Sequence, residues 1–143
     1  MANDVLPDPA TPFGERVRRR LTGDLVLWLT TVAHDSTPQP NPVWFLWDGA
    51  ESLLIYNRPI AKRLVNIRRN PRVSLNFDSA QGRDIVVMTG DAELLDEPAT
   101  DVPNPAYLEK YHDDIIRIIG DADSFVQAYP VRLRVRLTRV RGF

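Results

Sequence analysis

Cysteine is absent from this 143-residue chain, which excludes disulfides, thiolate metal sites and a cysteine nucleophile. No apolar run approaches the roughly 20 residues that cross a bilayer. The N-terminal residues also lack the apolar stretch of a signal peptide. We therefore expect a cytoplasmic protein without a membrane span. The only two histidines, His34 and His112, stand far apart, so the sequence predicts no metal site.

Recognisable catalytic motifs are also missing. The chain contains no GxGxxG, Walker A, HExxH or GxSxG pattern. No residue stands out as a catalytic acid, base or nucleophile, so the catalytic residues are unknown at this stage. A formal net charge of -1 and the lack of a nucleic-acid-binding motif argue against a nucleic acid partner.

Positive charge is concentrated in one segment, residues 58–72, which contains no acid. Its six cations are Arg58, Lys62, Arg63, Arg68, Arg69 and Arg72. Pro59 predicts the start of a helix over about residues 60–69, because proline is favoured at the first helical position. Helical spacing predicts an apolar face with Ile60, Leu64 and Ile67, and a polar stripe with Arg58, Lys62, Asn66 and Arg69. Free amides and the helix dipole attract an anion to such a terminus. Lys62 and Arg63 fall in the first turn, so the segment predicts a phosphate site.

Short strands dominate the rest of the chain. Apolar runs and alternating patterns predict six strands, at residues 25–33, 43–47, 52–56, 73–77, 84–95 and 131–140. Residues 34–42 are predicted to form a turn, and residues 13–21 and 104–119 to be helical, with Asn104 as the N-cap of the last helix. Gly90 is predicted to mark a bulge or a close backbone approach in its strand, and strict alternation places Trp44 and Leu46 on the face opposite Phe45. Regular βαβ alternation is absent. We therefore predict a mainly β protein, a six-stranded antiparallel split β-barrel with two or three peripheral helices. It forms one domain over residues 1–143, with residues 1–12 as a loose arm.

The run PVWFLWDG, followed by a strand ending in YNRPIAKRLVNIRRNPRVSLNF, resembles the pyridoxamine 5′-phosphate oxidase-like split-barrel superfamily. In that superfamily the cofactor phosphate is bound by a short pattern: a basic residue, a few positions later a lysine ahead of a helix, and then an Asn-Pro pair. The PVWFLWDG hairpin, the strand GRDIVVMTGDAELL and the closing TRVRGF are more similar to its deazaflavin-dependent branch, which uses coenzyme F420 and is common in actinobacteria. The chain lacks a counterpart of the C-terminal Arg and His that bind substrate in the oxidase itself.

The resemblance implies a homodimer with a cofactor groove at the interface, and it implies which residues bind the cofactor. Pro42, Val43, Trp44 and Phe45 would line the deazaflavin ring. The ribityl and phosphate portion would be held by Tyr56, Asn57, Arg58, Ile60, Ala61, Lys62 and Arg63. Gln81 would approach from the partner subunit. The arginines at positions 16, 18, 19 and 20 would extend the basic groove toward the cofactor's acidic tail.

Several functions stay open at this point. The leading hypothesis is an F420-dependent oxidoreductase that passes a hydride from the deazaflavin C5 to an electron-poor small molecule, such as a quinone or an enone. In such an enzyme the cofactor carries the chemistry, and the protein supplies binding and orientation. The alternatives are an FMN-binding oxidoreductase on the same fold, a non-enzymatic F420 or flavin carrier, and a nucleic-acid binder.

Overall fold

A computed structural model describes residues 5–95 and 104–143 of the chain. Its helices are α1 (Pro12–Gly23), α2 (Lys62–Arg69), α3 (Pro105–Lys110), α4 (His112–Ile118) and α5 (Ala122–Ala128). Its strands are β1 (Leu27–Val32), β2 (Pro38–Val43), β3 (Leu46–Trp47), β4 (Ser52–Asn57), β5 (Arg72–Asn76), β6 (Val86–Leu94) and β7 (Val131–Gly142).

The seven strands form one antiparallel sheet in the order β2-β1-β5-β6-β7-β4-β3. This sheet is the half-barrel of a split-barrel fold, so the mainly β prediction is confirmed. The predicted bulge residue Gly90 lies at a shift in the β6–β7 register, between Thr89 and Gly90. A β-bulge of this kind bends a strand and helps a sheet to curl.

The predicted count of six strands is one too low, because residues 38–42 are predicted as part of a turn and Val43 as the first residue of the next strand. Residues 38–43 instead form β2, an edge strand that pairs with β1. Proline has no backbone N–H to donate to a β-sheet hydrogen bond, and this segment contains Pro38, Pro40 and Pro42. Local propensity alone therefore favours a turn. An edge strand tolerates these prolines where the missing N–H would face away from its neighbour.

The main core lies between the sheet and α1. Val17 and Leu21 of α1 are fully buried against the apolar face of the strands. The alternation of β7 is confirmed, with Leu133, Val135 and Leu137 buried. Val5 and Leu6, within the segment predicted to be a loose arm, pack against this core.

Five helices are present in the described residues, against the two or three predicted. The predicted helix over residues 104–119 is divided at Tyr111 into α3 and α4, and α5 was missed. Asn104 caps α3 as predicted, by accepting a hydrogen bond from the Ala106 N–H. Helices α3 to α5 enclose a second apolar cluster, which packs against Trp44, Leu46 and Leu54.

Candidate functional site

Helix α2 begins two residues later than the sequence predicts. Pro59 and Ile60 lie in a turn that is closed by the Ala61 N–H, which donates to the Arg58 carbonyl at 3.1 Å. The helix starts at Lys62, so Pro59 does not open it, and Ile60 is 86% exposed instead of lying on the buried face. The prediction that Lys62 and Arg63 occupy the first turn is confirmed.

The first turn of α2 is unusually receptive to an anion. Its N-cap residue, Ala61, provides no side-chain hydrogen bond, and the turn contains no acid. The Leu64 N–H donates to the Ala61 carbonyl at 3.1 Å, whereas no described group accepts from the N–H of Lys62 or Arg63. No carboxylate in the turn neutralises the positive end of the helix dipole. An anionic ligand would supply both the missing acceptor and the missing charge.

The cations of the basic segment from Arg58 to Arg69 are not neutralised by carboxylates. Within residues 5–95 and 104–143, none of its five cations forms a salt bridge, namely Arg58, Lys62, Arg63, Arg68 and Arg69. Arg72, the sixth cation of the segment defined from the sequence, does form a salt bridge, with Asp91, and Arg134 outside the segment pairs with Glu93. The positive charge that the sequence concentrates here is therefore available to a ligand.

The α1 arginines, by contrast, are engaged within the protein. Arg16 and Arg20 both bind Asp84, at 2.7 and 3.2 Å, and Arg20 also binds Asp24. Arg19 pairs with Glu15, and Arg18 donates to the carbonyls of Pro7 and Gly14. These contacts account for the arginine run by local structure, without an acidic cofactor tail.

A cavity of about 190 Å³ lies between the end of β2, β4, α2 and the helices α3 to α5. We call it the aromatic cavity, because five of its ten lining residues are aromatic. It is lined by Pro42, Val43, Trp44, Tyr56, Arg63, Tyr107, Ile118, Ile119, Phe125 and Tyr129. Trp44 stacks on Tyr111 with the ring centroids 4.6 Å apart, and this pair fixes the orientation of the indole.

Arg63 brings a positive charge into this aromatic wall. Its Nε donates to Asn57 Oδ1 at 2.7 Å. Asn57 is fully buried and is itself anchored, because its Nδ2 donates to the carbonyls of Ile55 and Val131 at 3.1 and 3.0 Å. Burial lowers the pKa of the Arg63 guanidinium. The side chain is thus held rigidly by a neutral partner in a partly desolvated position.

Lys62 faces a different concavity on the other side of the helix. This polar groove, of about 440 Å³, is lined by Ala33, His34, Asp35, Thr37, Gln39, Lys62, Val65 and Asn66. Asn66 is buried, not part of the exposed polar stripe that the sequence predicts, and it donates to Thr31 Oγ1 and Gln39 Oε1 at 3.0 and 3.1 Å. Hydrogen bonds from Thr37 lower the pKa of Asp35.

The segment after β2 is held in place from the helical side. The Tyr111 hydroxyl accepts a hydrogen bond from the Phe45 N–H at 2.8 Å and donates to the Leu25 carbonyl at 2.7 Å. Lys110 Nζ donates to the Phe45 carbonyl at 2.9 Å and lies 3.7 Å from the centroid of the Phe45 ring. Burial lowers the pKa of Lys110 to about 8. Phe45 is therefore a core residue whose backbone N–H is already bonded.

The structure brings together only some of the residues predicted to bind a cofactor. Five of them line the aromatic cavity, namely Pro42, Val43, Trp44, Tyr56 and Arg63. Lys62 lines the polar groove. Phe45 and Asn57 are fully buried, Arg58 is exposed and lies over the Tyr129 ring, and Ala61 is the α2 N-cap. Gln81 lies in the exposed turn between β5 and β6, with φ of +62°.

Sequence patterns alone do not reveal the helical half of the aromatic cavity. Tyr107, Phe125 and Tyr129 were given no functional role, and the pairs Tyr107/Tyr111 and Phe125/Tyr129 are spaced four residues apart. On a helix that spacing places both rings on one face. It is equally typical of ordinary core packing, so it does not by itself indicate a ligand site.

The described parts of the chain contain no group of three or more His, Asp or Glu side chains that could hold a metal ion. None of the helices in those parts is long and apolar enough to cross a membrane.

Comparisons with a family model and with solved structures agree on the fold of this chain. The model of a family described as pyridoxamine 5′-phosphate oxidase matches residues 13–142. A structure named F420 reductase is 28% identical, covering 86% of this chain and 94% of its own, with a TM-score of 0.60. An FAD-binding protein from Mesorhizobium loti is 24% identical, with coverage of 88% and 90% and a TM-score of 0.56. A heme storage protein from Vibrio cholerae is 16% identical, with coverage of 90% and 92% and a TM-score of 0.59.

Proposed function

Since the chain belongs to the pyridoxamine 5′-phosphate oxidase family, we propose that it is an F420-dependent oxidoreductase. It would move a hydride between a deazaflavin and an electron-poor small molecule such as a quinone or an enone. The similarity to an F420 reductase, at 28% identity over most of both chains, supports the deazaflavin over other flavins.

The observation that carries the proposal is the first turn of α2. An uncapped helix terminus, the exposed Lys62 and neighbouring cations without salt bridges in the described residues form a site for a phosphate. Lysine suits such a site as a point charge, because its three donors can follow a tetrahedral anion. The groove beside Lys62 gives the phosphate a place close to the helix amides.

Charge also favours a deazaflavin over FMN. The phosphate of F420 continues into an acidic tail, whereas FMN ends at a single phosphate. Arg68 and Arg69 lie one to two turns beyond Lys62 and are exposed, so the basic surface is longer than one phosphate. Arg69 donates to the His34 carbonyl at 3.1 Å, which holds its guanidinium near the polar groove.

The deazaflavin ring is proposed to lie along the end of β2, against Pro42 and Trp44. The aromatic cavity there is smaller than the roughly 300–1,000 Å³ of ordinary cofactor pockets, so one protomer does not enclose a three-ring system. Residues 38–42 of β2 are exposed, and Trp28, which pairs with Pro42, is 41% exposed. We propose that a second copy of the chain covers this face in a homodimer and completes the groove.

Reduced deazaflavin, when bound, supplies a hydride. The residues of this chain hold the phosphate at Lys62, orient the ring against Pro42 and Trp44, and exclude water with the aromatic wall. No described residue of the cavity is an acid or a histidine. The balancing proton is therefore assigned to solvent.

Titration of the purified protein with F420 and, separately, with FMN tests this proposal, with quenching of tryptophan fluorescence as the readout. F420 is expected to bind at micromolar concentrations or below, and more tightly than FMN. The oxidation of reduced F420 is then followed with a quinone or an enone as the acceptor. Preference for FMN would replace the deazaflavin by a flavin, and binding without turnover would favour a carrier. Binding of neither cofactor would refute the proposal.

The variant Lys62→Ala locates the phosphate site. Loss of a hydrogen bond to a charged group is expected to weaken F420 binding by about 1.5–3 kcal/mol, roughly 10- to 150-fold in Kd. Arg19→Ala is the matched control, since Arg19 is exposed and pairs with Glu15 on α1. Equal affinities of the two variants would show that the phosphate does not lie at α2.

A further inference from the structure

We propose that the aromatic cavity is the acceptor site, and that it takes a planar, single-ring conjugated compound whose carbonyl or phenolate oxygen is bound by the Arg63 guanidinium. This inference rests on the proposed function for the identity of the hydride donor. It gives Arg63 a role different from the phosphate contact that the sequence predicts, because the structure places it on the cavity wall.

The size of the cavity selects a small ligand. An apolar protein cavity of roughly 150 Å³ accommodates benzene. The aromatic cavity, of about 190 Å³, therefore fits one substituted ring, or the reactive ring of a longer molecule whose remainder leaves through the mouth. Ile118 lines the cavity and is 59% exposed, which places it at that mouth.

The shape of the wall selects a planar ligand. Phe125 is stacked at 21° to both Trp44 and Tyr129, with ring centroids 6.2 and 5.2 Å away. Tyr107 is stacked on Phe125 at 26°, with centroids 5.8 Å apart. Nearly parallel rings present flat faces, and offset stacking on such faces favours another flat ring.

The charge at the wall selects an oxygen with negative character. Arg63 is bound to a neutral amide, Asn57, and forms no salt bridge with a carboxylate in the described residues. Burial lowers its pKa, which means that the protein disfavours the bare cation. A carbonyl or phenolate oxygen at the guanidinium would relieve that cost by a charge-assisted hydrogen bond.

This placement also serves the reaction. Hydride transfer from a bound reduced deazaflavin would break the C5–H bond of the donor and form a C–H bond at the electron-poor carbon of a conjugated carbonyl compound, where a π bond of the acceptor breaks. The displaced electron pair moves to the carbonyl oxygen, and solvent then supplies the proton. The acceptor is reduced by two electrons and the deazaflavin is oxidised by two. Arg63 stabilises the oxyanion, which is an interaction that strengthens in the transition state.

Pro42, Val43 and Trp44 connect the two sites. They belong both to the wall proposed for the deazaflavin ring and to the lining of the aromatic cavity. A ring bound in the cavity would therefore lie beside the deazaflavin ring, as hydride transfer requires, while Lys62 holds the phosphate on the other side of α2.

Binding of 4-nitrophenolate to the cofactor-free protein tests the site without depending on turnover. This probe is a planar oxyanion whose absorbance reports its surroundings, and 4-nitrotoluene is its uncharged analogue. The wild-type protein is expected to bind the phenolate at least tenfold more tightly than 4-nitrotoluene, and to lower the pKa of the bound phenol. Arg63→Gln should abolish both effects, whereas Arg19→Gln, at an exposed position on α1, should retain them.

A second variant covers the case in which Arg63→Gln fails to fold. Ile118→Trp adds a large side chain at the exposed mouth, so it should leave the fold intact and weaken both probes at least tenfold. A phenolate preference that survives Arg63→Gln, or binding that is unaffected by Ile118→Trp, would overturn the inference. If the protein binds no deazaflavin but passes these probe tests, the proposed function fails and the oxyanion site stands.

Discussion

Removing one hydroxyl group, in the variant Tyr111→Phe, should destabilise the protein far more than an average tyrosine-to-phenylalanine change. The hydroxyl accepts the Phe45 N–H at 2.8 Å and donates to the Leu25 carbonyl at 2.7 Å. Without it, a buried N–H loses its acceptor, which costs about 1–3 kcal/mol, and a donated bond of about 1 kcal/mol is lost. The ring remains, so its stack on Trp44 is retained. The Phe45 carbonyl also keeps its bond from Lys110.

The free energy of unfolding should therefore fall by about 2–4 kcal/mol in Tyr111→Phe. Urea denaturation followed by far-ultraviolet circular dichroism measures this loss. Tyr129→Phe is the matched control: its hydroxyl forms no hydrogen bond to the described residues, so its effect should stay within about 0.5 kcal/mol. Equal, small losses in the two variants would refute the view that Tyr111 anchors the segment carrying the cavity wall.

Two further predictions concern pH and backbone packing. Burial lowers the pKa of Lys110 to about 8 from its ordinary value of 10.5. Between these two pH values the unfolded chain binds more protons than the folded protein, so the free energy of unfolding rises with pH. Lys110→Met should remove this rise when urea denaturation is measured across the same pH range. Burial raises the pKa of Tyr107 and Tyr111 above 10, so the folded state keeps protons that the unfolded chain loses, and stability should fall above pH 10. A Cβ at Gly90 would lie 2.7 Å from a carbonyl oxygen of β7, so Gly90→Ala should lower the free energy of unfolding by about 1–3 kcal/mol in the same assay. Gly23 has open space around it, so Gly23→Ala should leave the stability unchanged or raise it slightly. A flat pH profile, or equal effects of the two alanines, would contradict these expectations.

Elements with a strong local signal could be predicted from the sequence. The alternation of β7, the Asn104 cap and the irregularity at Gly90 each follow from a rule that acts over a few residues. Alternation also placed Trp44 and Leu46 on the face opposite Phe45, and the structure divides these residues between the two apolar clusters accordingly.

Elements that depend on a distant partner were predicted less well. Residues 38–43 have the composition of a turn, and only pairing with β1 makes them a strand. Pro59 satisfies the rule for a first helical residue, but the turn from Arg58 to Ala61 delays the helix until Lys62. In both cases proline marks where the chain changes direction, and tertiary contacts decide where the regular element begins.

The candidate site shows the same division. The resemblance led to Pro42, Trp44 and Arg63, which do meet in one cavity. It did not lead to Tyr107 or Phe125, because they lie more than forty residues further along the chain and carry a pattern that serves a core equally well. Sequence patterns identify residues near one another on an element, whereas a cavity wall is assembled from elements that only the fold brings together.

Helical geometry explains why the basic segment serves two concavities at once. The side chains of consecutive helical residues point about 100° apart around the helix axis. Lys62 and Arg63 therefore face different sides of α2. Lys62 turns toward the polar groove beside Gln39, and Arg63 toward the aromatic cavity beside Pro42. Under the two proposals, a single short helix on the barrel would present one charge to a phosphate and another to a small conjugated acceptor. Two adjacent ligands would then account for more of the positive charge that is conspicuous in the sequence than one ligand would.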